Sequence, residues 1–289
     1  MAPKKSAIFT LGRVVKPLLG RLIMKLDPRL HAYELANLGF LEDEDIVLDF
    51  AALQIARLDH PRQSFGTLID LLAGMAAELA GIVTPKHAAA RQAIALKGAF
   101  ARRGFRGMPE PHIRSADMFR ALASRQGAPL SLAILYIATA RRAGLTAVLL
   151  DTTTTVFIRL GCDEDEAVFA VDAAGDLRPV SPAEGGRDRR AWPDPITNRM
   201  ILVRLLETEA STVEMQGDFE RALVLRNRVC VIAPMTSEGW INNALINERT
   251  GRPLDAKRCL VCALENTRDP FLRNRIIYKL TNKNDRSIY

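Results

Sequence analysis

The chain has 289 residues, 48% hydrophobic and 25% charged, which is enough for one large or two modest domains around real cores. No apolar run reaches the roughly 20 residues that a helical bilayer crossing needs, so an integral membrane protein is not expected. The net charge of +7 sits at the ends: residues 1–30 hold seven Lys/Arg against one acid, and residues 217–289 hold thirteen against eight. Basic ends suit an acidic partner or an anionic membrane surface. Zinc-finger spacing, RNP-like aromatic patterns and glycine-rich phosphate loops are all missing, so nucleic acid is not the expected partner.

At the N-terminus, Gly12, Arg13 and Lys16 interrupt any secretory apolar region, which disfavours export. Pro17 can open a helix in which Leu18, Leu19, Leu22, Ile23 and Leu26 form one apolar face beside Arg21 and Lys25. The expectation is a basic, amphipathic segment within residues 1–40, docked on its own domain or on an anionic membrane. Residues 43–82 carry apolar positions at spacings of three and four on either side of Pro61, which predicts two packed helices; His60 then lies in the turn as a loop or capping residue.

Residues 86–103 and 115–126 predict two more helices, separated by the loop GFRGMPEPHIR. GAPLSLAILYIATARRAGL, residues 127–145, opens with glycine and proline and closes with Arg141, Arg142 and Gly144. Its apolar surface is too wide for anything but a central, buried helix. AVLL, TTVFIRL and AVFAVD follow as three short strands, so an α+β unit is expected. The Pro-, Gly- and charge-rich stretch 181–199 reads as a linker, on which Trp192 can bury its ring against a neighbour.

Beyond the linker the chain repeats itself. Ala210, Gly217 and Ala222 are followed 34 residues later by Ala244, Gly251 and Ala256, and Leu206 by Trp240. Thirty-four is the period of the tetratricopeptide repeat, a helix-turn-helix with small residues where its helices meet and glycine at the turn. Two repeats and a last helix, DPFLRNRIIYKL, predict a short array that leans on the upstream domain and offers a surface to a peptide or another protein. Cys259 and Cys262 stand one helical turn apart with no further Cys or His after them; they and Cys230 are expected in the core, and neither a metal nor a cofactor is expected. The scattered cysteines, Cys162 included, suit a reducing cytoplasm, with peripheral membrane attachment through residues 1–26 as the variant.

GFRG at 104–107, the helix start and end in 127–145, and the repeats occur in an order that resembles the bacterial SirB-type family, in which a transglutaminase-like domain precedes tetratricopeptide repeats. The resemblance covers about residues 45–280. It implies a mostly helical α+β chain with a papain-like core, a buried helix on a small antiparallel sheet, followed by the repeat array. The expected division is a basic segment at 1–40, the transglutaminase-like domain at 41–180, the linker at 181–199 and the repeats at 200–289.

Catalytic relatives of this build place a nucleophilic cysteine at the head of the central helix, a histidine on the next strand and an acid on the strand after. Here Ser131 stands in the first helical turn, Val156 replaces the histidine of the family's Pro-Gly-His-Phe pattern, and only the acid survives, as Asp172. All four histidines, His31, His60, His87 and His112, precede Ser131, so the order nucleophile, histidine, acid cannot occur. The expected function is therefore a non-catalytic transglutaminase-like protein that acts as an interaction or scaffold module through its repeats. The alternatives are a hydrolase or acyl-transfer enzyme with a rearranged site, in which His112 folds back toward Ser131 or Asp172 beside Tyr136, Asp151 and Arg159, and a membrane-peripheral adaptor.

Overall fold

The computed structural model describes residues 35–108, 117–150, 152, 155–161, 165–180 and 192–281. The expected helix at 17–26 lies outside them. After a helical turn at 35–38 and a 3-10 turn at Asp43–Asp45, three helices surround the centre: α1 (Leu48–Arg57), α2 (Gly66–Ile82) and α3 (Ala89–Arg102). Each has one inward stripe at helical spacing, such as Leu68, Leu72, Met75, Ala76 and Leu79 in α2. Strand β1 (Arg106–Gly107), helix α4 (Met118–Ser124) and strand β2 (Gln126–Gly127) lead to the central helix α5 (Pro129–Arg142). β1 and β2 pair in parallel, so the predicted GFRG loop contributes a short strand.

Every residue of α5 from Leu130 to Ala140 is buried, as its all-round apolar sequence requires. Gly144, at φ +83°, follows the helix end in a left-handed conformation that glycine adopts at no steric cost. Four antiparallel strands follow in sequence order: β3 (Ala147–Leu149), β4 (Val156–Leu160), β5 (Ala167–Val171) and β6 (Leu177–Pro179). The fourth was not expected; with only Leu177 buried, it is too short to leave an alternating pattern in the sequence. Ile158 faces Leu149 on one side and Phe169 on the other, so the inward positions of three strands line up against α5.

The C-terminal part is two helical hairpins and a last helix: α6 (Asn198–Met215) with α7 (Phe219–Ile232), α8 (Ser237–Arg249) with α9 (Pro253–Asn266), and α10 (Pro270–Thr281). Gly217 and Gly251, 34 residues apart, make the equivalent turns at φ +83° and +73°. The geometry is consistent with a tetratricopeptide-like array, and Ala210, Ala222, Ala244 and Ala256 are all buried where paired helices approach.

The stretch 181–199 does not separate two cores. Ile201, Leu202, Leu205 and Leu206 of α6 and Leu225 and Val229 of α7 belong to the same apolar cluster as α1, α2 and α5, whereas Ala256, Leu260, Ala263 and Ile276 form a second, smaller one. The described part of the linker lies on the sheet edge: the ring of Trp192 meets Phe157 edge-on at 6.0 Å, and Ile196 N–H donates to the Leu149 carbonyl. The Asp43 carboxylate accepts the backbone N–H of Asn198 at 2.9 Å and of Arg199 at 2.8 Å, a negative charge at the start of α6 where the helix dipole favours one.

Candidate functional site

Three places hold the polar chemistry of the described residues: the helix start where a nucleophile was expected, a charged cluster between the α/β part and the first hairpin, and a groove on the array.

Ser131 lies in the first turn of α5 with 0% exposure. Val156 opens β4, 8% exposed and paired with Val171, and Asp172 directly follows Val171. The topology thus brings the end of β5 beside the start of β4. The Asp172 carboxylate, however, accepts the Asp176 N–H at 2.9 Å and so closes the turn between β5 and β6. Tyr136 donates to the Gly175 carbonyl in that turn at 2.8 Å; burial first, then the charges of Asp176 and Asp172, push its phenol well above the ordinary range. β1 rests on the turn backbone to backbone, with Gly107 N–H donating to the Ala174 carbonyl at 2.5 Å, and a Cβ on Gly175 would come within 2.6 Å of Leu132 in the first turn of α5. Arg159 turns away to pair with Glu166 at 3.4 Å. His112, Asp151 and Cys162 lie outside the described residues.

The second place was not expected. The turn after α1 carries Asp59 and His60. Asp59 takes both Arg221 (2.6 and 2.8 Å) and Arg228 (2.7 Å twice), which stand seven residues apart on one face of α7; Arg221 also reaches Glu209 of α6 at 2.8 Å. His60 Nε2 lies 2.6 Å from Asp117 Oδ2, and its ring stacks at 4.6 Å on Phe119. Asp117 in turn caps α4 by accepting the Arg120 N–H. Burial pushes the Asp59 carboxyl up, but the hydrogen bonds and charges of Arg221 and Arg228 outweigh it and hold the group well below the carboxylate range. The bond to Asp59 raises Arg221, and burial raises Glu209 against the pull of Arg221. The cluster borders a cavity of about 220 Å³ that Val213 and Asp218 complete. His60 sits in a turn, as its position beside Pro61 suggests, and serves as the partner of a capping aspartate. Asp59, Glu209, Arg221 and Arg228 gave no local signal, because their partners are far away in the chain.

The third place is a groove of about 340 Å³ between α6 and α8, the first helices of the two hairpins. Met200, Val203 and Ile196 supply its apolar wall; Arg204, Glu207, Glu238 and Asn242 supply its polar one. Asn242 donates to Glu207 at 3.4 Å, and the buried Arg226 braces the floor by donating to the Asn242 carbonyl at 3.0 Å and pairing with Glu214 at 2.6 Å. Burial raises the Glu207 carboxyl against the nearby charge of Arg226. Deeper in the array, burial pushes the Cys230 thiol up to about 12 and the Cys259 thiol to about 11, as suits core residues. Among the described residues no group of three or more His, Cys, Asp or Glu side chains could hold a metal ion, and no helix is long and apolar enough to cross a membrane.

Residues 66–207 match the family model described as the transglutaminase-like superfamily. The match runs from the first residue of α2 into α6, so it covers the central helix, the sheet and part of the first hairpin. No curated protein and no solved structure matches the chain.

Proposed function

We propose that this chain, whose residues 66–207 form a transglutaminase-like domain, uses that domain as a scaffold rather than as an enzyme, and that it binds a peptide segment of another protein through the groove between α6 and α8. The observation that carries the reading is the state of the three family positions. Ser131 is fully buried, Val156 has no titratable group, and the Asp172 carboxylate is taken up by its own hairpin turn. A thiol or an activated hydroxyl needs access to substrate and a base within hydrogen-bond reach, and this end of the sheet offers neither a thiol nor an imidazole among its described residues.

The groove has what peptide recognition uses: an apolar wall for one or two side chains, and a carboxylate and an amide to orient the backbone or a basic group. The SirB-type order of domains and a cytoplasmic setting belong to this reading. So does the division into a transglutaminase-like part ending near 180 and repeats beginning near 200, with the qualification that the first hairpin shares the upstream core.

The pure protein, incubated with amine donors, glutamine peptides and ester or isopeptide substrates, is expected to give no turnover. Turnover that disappears in Ser131→Ala or His112→Ala would overturn the non-catalytic part. For the groove, a partner isolated from the native host is expected to lose at least tenfold in affinity for Met200→Glu while binding Ile94→Glu unchanged. Equal affinity for both variants would remove the groove from the reading.

A further inference from the structure

We infer that the groove between α6 and α8 selects a basic side chain, arginine or lysine, from the peptide it binds, with the cation at Glu207 and Glu238 and the methylene stem along Met200 and Val203. The inference rests on the groove being the peptide site proposed above, and goes further by naming the chemistry of its occupant.

The composition of the lining is the first observation. On α6, Met200, Val203 and Glu207 recur at helical spacing and so share one face. On α8, Glu238 in the first turn and Asn242 one turn later do the same. One wall thus runs from apolar at Met200 to acidic at Glu207, and the other begins with a carboxylate. Met200 is 36% exposed and Val203 only 7%, so the thioether is the apolar surface that an occupant would cover. A volume of about 340 Å³ suits one long side chain with its adjoining backbone. Arginine and lysine match this pattern, an apolar stem that ends in a charge.

Unmet charge is the second. Among the described residues the Glu207 carboxylate has a single hydrogen bond, the long one from Asn242 at 3.4 Å, and the Glu238 carboxylate has neither a hydrogen bond nor an ion pair. An ionised carboxylate can accept about four. Burial first, and then the charges of Glu238 and Glu214, push Glu207 up against the pull of Arg226 and Asn242, so the two groove carboxylates repel each other. Arg204, the cation on the lining, makes its contact with a group other than these two. A cation from the peptide relieves the repulsion and supplies donors, three from lysine or five in a planar fork from arginine. An acidic side chain would add a third negative charge, and an apolar one would leave Glu207 desolvated without a partner.

Sign is the third. The chain as a whole carries +7, so an acidic groove is not a by-product of composition. The attraction opposes the net charge and acts at short range, which makes it a matter of contact in the groove rather than of long-range steering.

The test is selection on the immobilised full-length chain from a library of octapeptides with four randomised central positions, acetylated and amidated so that no terminal charge imitates a side chain. The expected result is enrichment of arginine or lysine beside leucine or methionine. A retained peptide should weaken about tenfold when its basic residue becomes norleucine, the effect of one hydrogen bond to a charged group. Glu238→Gln, at an exposed position, should reduce the enrichment, and Glu207→Gln with Glu238→Gln should abolish it with the melting temperature no lower than the parent's. Met200→Trp, which fills the groove without changing its charge, should remove retention altogether. Enrichment of acidic or apolar residues alone, or a basic preference that survives the double variant, overturns the inference; if Met200→Trp still removes retention, the groove remains the peptide site and only the chemistry is wrong. Retention that Met200→Trp leaves intact, or no retention from the library at all, overturns the groove reading and the inference with it.

Discussion

Asp59 receives Arg221 in a two-point ion pair, at 2.6 and 2.8 Å, across 162 residues of chain. The pair ties the turn after α1 to the first hairpin of the array, and Arg228 doubles it from one face of the same helix. Asp59 joins two arginines and Glu209 in one set, and removing it leaves Arg221 with Glu209 alone and takes from the buried Arg228 the carboxylate it pairs with.

Asp59→Ala is therefore expected to destabilise the protein by about 3 kcal/mol, the range for breaking a largely buried pair from one side. Urea denaturation gives the value. A loss below about 1 kcal/mol would mean that the arginines find solvent or other partners and that the cluster does not hold the hairpin in place.

The same group sets a pH dependence. Its folded carboxyl lies well below the unfolded value near 4, so the stability it supplies is complete above about pH 4 and falls away as the pH drops toward the folded value. Glu209 is shifted the other way by burial; its contribution is present below its unfolded value of about 4.3 and is lost as the pH rises through its raised folded value. Asp59→Asn should flatten the acid limb of a stability profile measured from pH 2 to pH 8. Glu209→Gln should flatten the loss that sets in as the pH rises above the unfolded value of about 4.3. A profile unchanged by both substitutions would contradict the assignment.

Backbone contact between β1 and the β5–β6 turn predicts strong intolerance at one glycine and gain at another. Gly107→Ala would push a methyl into the Ala173 carbonyl and the Ala174–Gly175 peptide, and backbone cannot yield as a side chain tip does; a loss of about 3 kcal/mol or more is expected. Gly74, in the middle of α2, has open space around its missing Cβ. Gly74→Ala is expected to stabilise by about 0.5–1 kcal/mol. Melting temperatures of the two variants should move in opposite directions.

Burial of the helix start can be read by chemistry. Ser131→Cys, made in a background with the native cysteines replaced by alanine or serine, should resist a water-soluble thiol reagent in the folded protein and react fully in denaturant, at a rate at least a hundredfold higher. Fast labelling of the native variant would show access to this position and would reopen the question of a nucleophile there.

The sequence made the helices and most of the strands legible because their signals are local. The stripes of α1 and α2 and the width of the apolar surface of α5 each lie within a few turns of chain, and the 34-residue spacing of Gly217 and Gly251 is legible because it repeats. β6 was invisible because one buried residue makes no pattern. The elements that carry Ser131, Val156 and Asp172 were legible too, as a central helix and two strands, whereas the packing of Gly107 against Gly175 was not, since two glycines 68 apart carry no sign that they touch. The Asp59 cluster escaped for the same reason: ordinary charged residues on ordinary helices become a site only when folding joins them.

The unequal cores of the array have an evolutionary consequence. The first hairpin shares its apolar cluster with the α/β part, while the second depends on a small cluster closed by α10. Duplicating a 34-residue unit at the inner end would pull Arg221 and Arg228 from Asp59 and split a continuous interior. Duplication at the outer end would disturb only the contact with α10. Units added or lost at the outer end are therefore expected to cost the fold less than changes at the inner end, where the first hairpin braces the α/β part.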